Sequence, residues 1–306
     1  MNRAAAITTA QPGKRLADYI QAALPKVVLS PTLVAALIFV YGFILWTAWL
    51  SFTESRLLPR YDFAGLVQYI TLFENDRWWT ALRNLGIFGS LFIGICLFLG
   101  LLLAILLDQR IRAEGFLRAI YLYPMALSFI VTGTAWRWIL NPGLGLEHLV
   151  RSLGFENFSF DWIVTPGMSI YAVVIAGVWQ STGFVMALFL AGLRGVDDAI
   201  IKAAQVDGAG AVRIYTRIIV PSLRPVFFSA LIILAHIAIK SFDLVMALTG
   251  GGPGYSSDLP ATFMYTFAFN RNQIGLGAAS AMMMLFTVVA IIIPMMYSET
   301  RRVNRG

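Results

Sequence analysis

The sequence has 306 residues, of which 58% are hydrophobic and only 13% are charged, and its formal net charge is +7. Soluble domains carry about 25% charged residues, so this composition lies outside the soluble range. The single cysteine, Cys96, excludes a disulfide framework and a thiolate metal site, and the two histidines are too far apart for zinc-like spacing.

Six apolar runs are each long enough to cross the roughly 30 Å hydrocarbon core of a bilayer, which needs about 20 helical residues. Only helices and closed barrels satisfy the backbone in lipid, and unbroken runs of this length indicate helices. We therefore predict an all-α fold, a polytopic bundle of six transmembrane helices within residues 30–298, flanked by tails 1–29 and 299–306. The predicted spans are 31–52, 85–107, 120–140, 170–193, 226–248 and 274–297.

Basic residues are concentrated on one side of the predicted membrane. An even number of spans places both termini on one side, and fifteen of the 23 basic residues fall in the two tails and in the second and fourth connections. Cytoplasmic loops carry the excess of Lys and Arg in membrane proteins. Both termini and the connection 194–225 are therefore predicted to be cytoplasmic, and the positive charge reflects topology rather than nucleic-acid binding.

The fourth predicted span carries a stripe of small, polar and aromatic residues. Gly177, Gln180, Ser181 and Phe184 recur at i, i+3, i+4 and i+7, which places them on one helix face. Gln180 and Ser181 lie near the middle of the span. Polar residues on such a face serve either a substrate or hydrogen bonds between helices, and the residues alone leave both interpretations open.

A polar island, residues 194–225, separates the fourth and fifth spans. A loop between two membrane helices needs only a few residues, so an island of this length with internal order indicates a function. Asp197 or Asp198 is a suitable helix N-cap, and residues 199–206 are a good short helix. The island is therefore predicted to begin with a helix at the cytoplasmic membrane face.

Glycines interrupt the island after this first helix. Gly208 and Gly210 predict a break, after which residues 211–219 resume a helix that Pro221 ends. Two short helices bent about glycines give a low-profile surface, because alanines and glycines add little bulk. The backbone of a partner protein could approach such a surface closely.

Three ionisable residues, His236, Lys240 and Asp243, fall inside the fifth predicted span at i, i+4 and i+7. At about 100° per residue they occupy an arc of roughly 60° on one face of a continuous helix. One such group near mid-membrane costs at least about 2.5 kcal/mol on insertion scales, so the face is expected to line the bundle interior or a wet cavity. This face either contacts a polar substrate or forms a network of polar contacts that fixes helix packing.

The connection after the fifth span, residues 249–254, is rich in glycine and is predicted to be a flexible outer turn. It is not a phosphate-binding loop, because it lacks the Gly-Lys-Ser/Thr sequence and follows a membrane helix. The rest of the sequence contains no Walker signature either. We therefore expect no cofactor on this chain.

The polar island carries a spaced motif. Lys202-Ala203-Ala204 is followed, after three intervening residues, by Gly208; nine further residues (209–217) then precede Ile218, one residue and Val220-Pro221. This pattern resembles the cytoplasmic coupling loop of binding-protein-dependent ABC importer permeases, which reads Glu-Ala-Ala, three residues, Gly, nine residues, Ile, one residue, Leu-Pro. Lys202 stands where the family usually has Glu, which reverses a charge, and Val220 stands where it has Leu.

A second stretch, residues 241–254, is similar to the end of the fifth span in carbohydrate-importer permeases of the maltose and glycerol-phosphate type. The resemblance covers most of residues 85–297 and implies the type I importer permease fold. It implies that sugar is held at or near Gln180, Ser181, Phe184, His236, Lys240 and Asp243. It also implies that the ATPase is contacted through Lys202, Ala203, Ala204, Asp207, Gly208, Ala209 and Gly210.

The resemblance further implies the partners of the chain. They are a second, similar permease, two ATP-binding subunits that hold ATP and Mg²⁺, a periplasmic or extracellular sugar-binding protein, and the lipid of a bacterial cytoplasmic membrane. No nucleic-acid partner and no catalytic or metal-binding residue is expected on this chain. The overall similarity favours a monosaccharide branch, for glucose or mannose.

The expected function is thus that of a permease subunit of an ATP-driven sugar importer. An alternative is an ion-gradient-driven secondary transporter in which His236, Lys240 and Asp243 relay protons. The coupling-loop spacing favours the importer, because a self-sufficient carrier has no use for a docking island. A membrane enzyme is disfavoured, because the sequence shows no nucleophile–base pair and no set of metal ligands.

Overall fold

The computed structural model describes residues 12–57, 60–109 and 112–303. Almost all of the ordered structure in these residues is helical, which confirms the predicted all-α fold. Parts of both predicted tails, residues 1–11 and 304–306, lie outside the described residues. The chain divides into two compact units, residues 1–49 and 50–306.

The first unit is one long helical segment. Helix α1 (Pro12–Ala36) continues through a π-helical turn, Leu37–Gly42, into α2 (Phe43–Leu50). Residues Leu24–Leu50 are apolar enough to cross a membrane. The helix therefore begins well before residue 31, where the first predicted span starts.

The core of the second unit is built on two long helices that pack against each other. Helices α3 (Val67–Phe73) and α4 (Asp76–Asp108) come first, and Asn75 caps α4 by accepting a hydrogen bond from the Arg77 backbone N–H over 3.0 Å. Helix α4 packs along α8 (Ser169–Arg194) over much of its length. The contact is formed by buried residues of both helices, among them Phe88, Phe92, Cys96, Val173, Val185, Met186 and Phe189.

The third predicted span is not one straight helix. Helix α5 (Glu114–Leu122) passes into a 3₁₀ turn, Tyr123–Ala126, and the chain then bends by 101° before α6 (Phe129–Ile139). Pro124 sits in the 3₁₀ turn, where its missing N–H cannot extend the α-helix. Ser128 restarts the helix as an N-cap, because its hydroxyl accepts a hydrogen bond from the Val131 N–H over 3.3 Å.

The prediction of a continuous fifth helix over residues 226–248 is wrong. Helix α12 (Arg224–Ile239) ends at Lys240, and α13 (Asp243–Leu248) begins three residues later. The backbone leaves the helical path at the C-cap residue Lys240, with φ −95° and ψ 11°. A continuous helical face that carries His236, Lys240 and Asp243 therefore does not exist.

The helix before α12 is also longer than predicted. Pro221 does not end it but lies inside α11 (Val220–Ser222), and the chain bends by 61° at Leu223. The proline responsible is Pro225, whose ring would clash with the carbonyl of Pro221 in a continuous helix. Pro225 is accommodated in the first turn of α12, where its N–H is not needed.

The remaining helices complete the second unit. They are α7 (Leu146–Ser152), α9 (Asp198–Val206), α10 (Ala211–Ile214) with a π-helical turn after it, α14 (Pro260–Tyr265) and α15 (Ile274–Val303). Four helices of the described chain are long and apolar enough to cross a membrane. The number becomes six when each of the two bent pairs is one span, as the predicted fold requires.

The glycine-rich turn is more constrained than predicted. The Thr249 and Ser257 hydroxyl oxygens lie 2.8 Å apart, and the Ser257 hydroxyl donates to the Gly252 carbonyl over 3.0 Å. The Gly250 N–H donates to the Val245 carbonyl at the end of α13 over 2.9 Å. These bonds hold the turn against the helix that precedes it.

Candidate functional site

A cavity of about 420 Å³ lies where the two broken spans meet α8. The bend of the third span contributes Leu127 and Ser128, and the break of the fifth span contributes Asp243. The middle of α8 forms the polar wall, and α12 adds an apolar side with Ile233 and Ile237. The breaks missed by the sequence analysis are therefore the features that shape the cavity.

Gln180 is the most constrained polar residue of this cavity. Its side-chain amide donates from Nε2 to the Leu127 carbonyl over 2.7 Å. Because a carbonyl only accepts, this bond fixes the amide and makes Oε1 the remaining acceptor. Oε1 is buried and has no hydrogen-bond donor among the described residues. A buried acceptor without a donor costs about 1–3 kcal/mol, so a hydroxyl placed in the cavity would stabilise the site.

Two further residues of the predicted α8 stripe also line the cavity. Ser181 is buried beside Gln180, and Phe184 follows one turn later, half-buried. Gly177 does not belong to this wall. A side chain at Gly177 would lie 3.3 Å from the Phe92 ring and 3.4 Å from Leu244, so Gly177 serves the packing between helices.

Of the three predicted ionisable residues, only Asp243 lines the cavity. It is the first residue of α13, where a carboxylate is favoured by the positive end of the helix dipole. His236 and Lys240 are both exposed. His236 shares a face of α12 with the cavity-lining Ile233 and Ile237, and Lys240 is the C-cap residue of that helix, but neither His236 nor Lys240 lines the cavity.

The three residues do not form the proposed network of polar contacts through ion pairs between described side chains. None of the ion pairs between described side chains involves His236, Lys240 or Asp243. No group of three or more His, Cys, Asp or Glu side chains in the described part of the chain could hold a metal ion. Of the three residues, Asp243 therefore lines the cavity by itself, and His236 and Lys240 are exposed at the end of α12.

The second candidate site is the hairpin formed by α9, residues 207–210 and α10, here called the coupling hairpin. Asp197 caps α9 as predicted, because its carboxylate accepts a hydrogen bond from the Ala199 N–H over 2.8 Å. Gly208 has φ +78°, a conformation that favours glycine, and the Ala209 N–H donates to the Ala204 carbonyl over 3.0 Å. The first helix, the glycine break and the resumption at Ala211 are all confirmed.

The coupling hairpin has an inner and an outer face. Ile201, Ala204 and Ala209 are half-buried and pack against the main core. The exposed positions of the predicted contact set are Lys202, Ala203, Asp207, Gly208 and Gly210. The sequence motif did not separate these faces, because it gives spacing but not the direction of the core.

Arg194 ties the end of α8, next to the coupling hairpin, to two other helices. Its guanidinium lies 2.6 Å from the Glu114 carboxylate at the start of α5 and 3.9 Å from Asp108 at the end of α4. From the sequence, Arg194 contributed only to the predicted topology. The contacts make the three helix ends one connected layer beside α9.

A buried polar cluster on the predicted outer side was also missed. Arg77 at the start of α4 pairs with Asp258 over 2.6 Å, and both side chains are largely buried. Arg77 also donates to the Thr266 hydroxyl over 3.1 Å, and its guanidinium lies 4.3 Å from the Tyr255 ring centre. These residues, with Asn84 and Thr262, are called the outer cluster below. Arg77 and Asn84 are each more than 170 residues from their partners around Asp258, so no local pattern could have revealed the cluster.

Residues 96–301, more than half of the chain, match the family described as binding-protein-dependent transport system inner membrane component. A probable ABC transporter permease protein of Pyrococcus horikoshii is 38% identical over 90% of this chain and 95% of its own length. The xylose/arabinose import permease protein of Haloferax volcanii is 38% identical over 86% of this chain and 84% of its own length. The trehalose/maltose transport system permease protein of Thermococcus litoralis is 31% identical over 94% of this chain and 96% of its own length.

A solved structure of a bacterial ABC transporter involved in the import of the acidic polysaccharide alginate has a similar chain. The TM-score is 0.81 at 20% identity, and the match covers 94% of this chain and 99% of that chain. At this identity the similarity concerns the fold, and it confirms the predicted importer permease fold. The chain belongs to the binding-protein-dependent transport system inner membrane component family, and is therefore a membrane-embedded ABC permease, a transport subunit and not an enzyme.

Proposed function

We propose that this chain is one of two permease subunits of an ATP-driven importer for a monosaccharide such as glucose or mannose. The observation that carries the proposal is the cavity at the two helix breaks, with its unsatisfied Gln180 acceptor and the Asp243 carboxylate. Both groups accept hydrogen bonds, and a sugar supplies hydroxyl donors. A volume of about 420 Å³ lies in the range of small-molecule sites, roughly 300–1,000 Å³.

The related permeases favour the same class of substrate. The names of two relatives specify xylose/arabinose and trehalose/maltose, which are polyhydroxylated and uncharged. Glycerol 3-phosphate appears in the names of less similar relatives, at 28–29% identity. Asp243 would repel a phosphate group in this cavity, which favours a neutral sugar.

The proposed assembly contains a second permease, two ATP-binding subunits and a sugar-binding protein. The name of the matched family includes a binding protein, and one structural relative was solved with a periplasmic protein bound to alginate pentasaccharide. ATP and Mg²⁺ would be held by the ATP-binding subunits. We place the chain in a bacterial cytoplasmic membrane as residues 30–298, with tails 1–29 and 299–306 and the connection 194–225 in the cytoplasm.

In this assembly the open side of the cavity would face the second permease. His236 on α12 and Lys240 at its C-cap are exposed and would contact a sugar held between the two subunits. Their donors would complement the acceptors of Gln180 and Asp243. All six predicted residues therefore remain in the proposed binding set. They are Gln180, Ser181 and Phe184 on α8, His236 on α12, Lys240 at its C-cap, and Asp243 on α13.

Helix α8 provides a direct mechanical path from the ATPase to the sugar. It runs without interruption from Gln180 to Arg194, a distance of about 21 Å at 1.5 Å per residue. The coupling hairpin follows α8 after only three residues, and Arg194 joins that end to α4 and α5. Closure of the ATPase pair would move these helix ends together and carry the cavity wall with them.

Replacing Gln180 by Leu or Asp243 by Asn is expected to weaken sugar uptake. Each change removes an acceptor, and a lost hydrogen bond worth about 1.4 kcal/mol corresponds to a tenfold weaker interaction. The measurement is the concentration dependence of uptake by the reconstituted complex, together with its basal ATP hydrolysis. The half-saturating sugar concentration should rise about tenfold, while basal hydrolysis stays within about twofold of the parent.

Gln273→Leu is the matched control, because Gln273 is exposed and does not line this cavity. Unchanged uptake in both cavity variants would reject the proposed sugar site. The alternative, a proton relay through His236, Lys240 and Asp243, predicts accumulation driven by a proton gradient without nucleotide. Such accumulation by the purified chain alone would reject the importer proposal.

Cysteine cross-linking tests the coupling hairpin. Ala203→Cys lies on the exposed face and is expected to cross-link to a cysteine in the ATPase subunit, with a yield that changes when ATP is added. Ala204→Cys is the control, because the neighbouring position is half-buried against the core. Native Cys96 is fully buried, so its background reaction should be low. Equal or absent cross-linking at both positions would contradict the assigned orientation.

A further inference from the structure

The outer face of α9 is a continuous exposed stripe. Ala199, Lys202, Ala203 and Val206 follow one another at i, i+3, i+4 and i+7, opposite the inward-facing Ile201 and Ala204. Val206 is 88% exposed, and a contiguous exposed apolar patch around such a residue is typical of a protein contact surface. Two more large apolar side chains, Ile200 and Val212, are exposed beside the stripe.

Lys202 stands in the middle of this apolar surface. It takes part in none of the ion pairs between described side chains, although Asp198 lies four residues before it on the same helix. In contrast, Arg194 nearby is already paired with Glu114 and Asp108. Lys202 is therefore the free cation of the stripe.

A partner that covers Val206 must also cover Lys202, because the two are one helical turn apart on the same face. Removing an ammonium group from water without a counter-charge is strongly unfavourable, and a carboxylate at close range offsets this. Asp198 and Asp207 border the stripe near its two ends and are exposed. The charge pattern along α9 is thus negative, positive, negative.

We propose that the ATPase subunit binds this stripe in an apolar groove that presents a carboxylate opposite Lys202, with basic or neutral groups where Asp198 and Asp207 lie. The proposal rests on the proposed function, because it assumes that the coupling hairpin is the ATPase contact. It specifies the partner more closely, since it assigns one acidic side chain to the centre of the groove. A groove with a basic residue at that point would not accept this chain.

The test is assembly of the full complex with three variants of this chain. Lys202→Glu is expected to reduce co-purification of the ATPase and sugar-stimulated ATP hydrolysis more than tenfold, and Lys202→Gln to reduce them less. Val206→Arg should abolish binding whatever the charge of the groove. Substitution of lysine for one acidic residue of the ATPase groove should restore binding of Lys202→Glu, and that residue is the predicted carboxylate.

The outcomes separate the two proposals. Loss with Val206→Arg but full binding with Lys202→Glu overturns the carboxylate and leaves the coupling contact intact. Loss with Lys202→Glu that no single acidic-to-lysine substitution in the groove restores also overturns it. Full binding of both Val206→Arg and Lys202→Glu overturns the coupling contact itself. Gel filtration of the permease pair without ATPase shows that each variant is folded.

Discussion

Asp258→Ala in the outer cluster is expected to destabilise this permease strongly. Asp258 is 1% exposed and accepts hydrogen bonds from Arg77 and from the Thr262 hydroxyl. Its removal leaves the Arg77 guanidinium largely buried without a counter-charge. Breaking a buried pair in this way costs about 3–5 kcal/mol, because the remaining charge keeps its desolvation penalty.

The loss of stability should affect segments that are distant from each other in the sequence. Arg77 begins α4, Asp258 precedes α14, and Asn84 donates to the Asp258 backbone carbonyl over 3.0 Å. The cluster therefore joins the first long helix of the core to the segment before the last span. Without it, α4 and α14 would still be joined by the Trp78–Phe263 ring contact, but without the ion pair and hydrogen bonds of the cluster.

The measurement is thermal unfolding of the purified permease in detergent and the yield of folded protein. Asp62→Ala is the matched control, because Asp62 is exposed on the same predicted side and forms none of the ion pairs of the described residues. Asp258→Asn should be milder, since an amide oxygen still accepts from Thr262. A double variant, Arg77→Met with Asp258→Leu, should recover much of the stability that Asp258→Ala loses.

Equal melting of Asp258→Ala and Asp62→Ala would contradict the assigned role of the pair. The same result would indicate that water reaches Arg77 and solvates it in the variant. A large loss for Asp258→Ala that the double variant does not reverse would instead show that packing, rather than the unpaired charge, is responsible.

The helical class and the helix–break–helix form of the coupling hairpin followed from the sequence because each depends on a local signal. Apolar runs of about 20 residues fix the helical state in lipid. Asp197, Gly208 and Gly210 mark the cap and the break of the hairpin through their own backbone preferences, and the structure places both where these residues lie.

The breaks and the outer cluster could not be predicted because their causes are not local. The helix ends at residues 240–242, although none of them is glycine or proline. A contact with a distant segment lies at this break, because the centre of the Phe242 ring is 4.7 Å from that of Tyr265 in α14. A proline such as Pro124 disfavours a continuous helix, but it does not by itself specify the 101° bend that follows it. Arg77 and Asp258 are 181 residues apart, so only the folded chain shows that they pair. The predicted site residues were therefore placed on one face of a helix that is in fact two.

Gly183→Ala is expected to disrupt the cavity more than any substitution of a cavity-lining side chain. A Cβ atom at Gly183 would lie 1.8 Å from the Tyr121 carbonyl oxygen and 2.7 Å from the carbonyl carbon. Both are backbone atoms, so no side-chain rotation relieves the overlap. Overpacking costs typically about 1–3 kcal/mol, and a backbone clash lies at or above the upper end of this range.

The position of Gly183 explains why the substitution should also affect sugar binding. It lies between Ser181 and Phe184 on α8, and Tyr121 precedes the turn that leads to Leu127. Moving α8 away from this segment would lengthen the 2.7 Å bond from Gln180 to the Leu127 carbonyl and open the cavity wall. We expect sugar uptake to fall below detection, or the yield of folded protein to fall with it.

Gly86→Ala in α4 is the matched control, because a side chain at Gly86 would meet nothing within 4 Å in this chain. The same chemical change is therefore expected to leave folding and uptake nearly unchanged. If Gly183→Ala kept normal uptake and melting, the close approach of α8 to Tyr121 would not exist in the functional transporter. The Gln180–Leu127 contact, and with it the fixed acceptor on which the proposed sugar site depends, would then have to be abandoned.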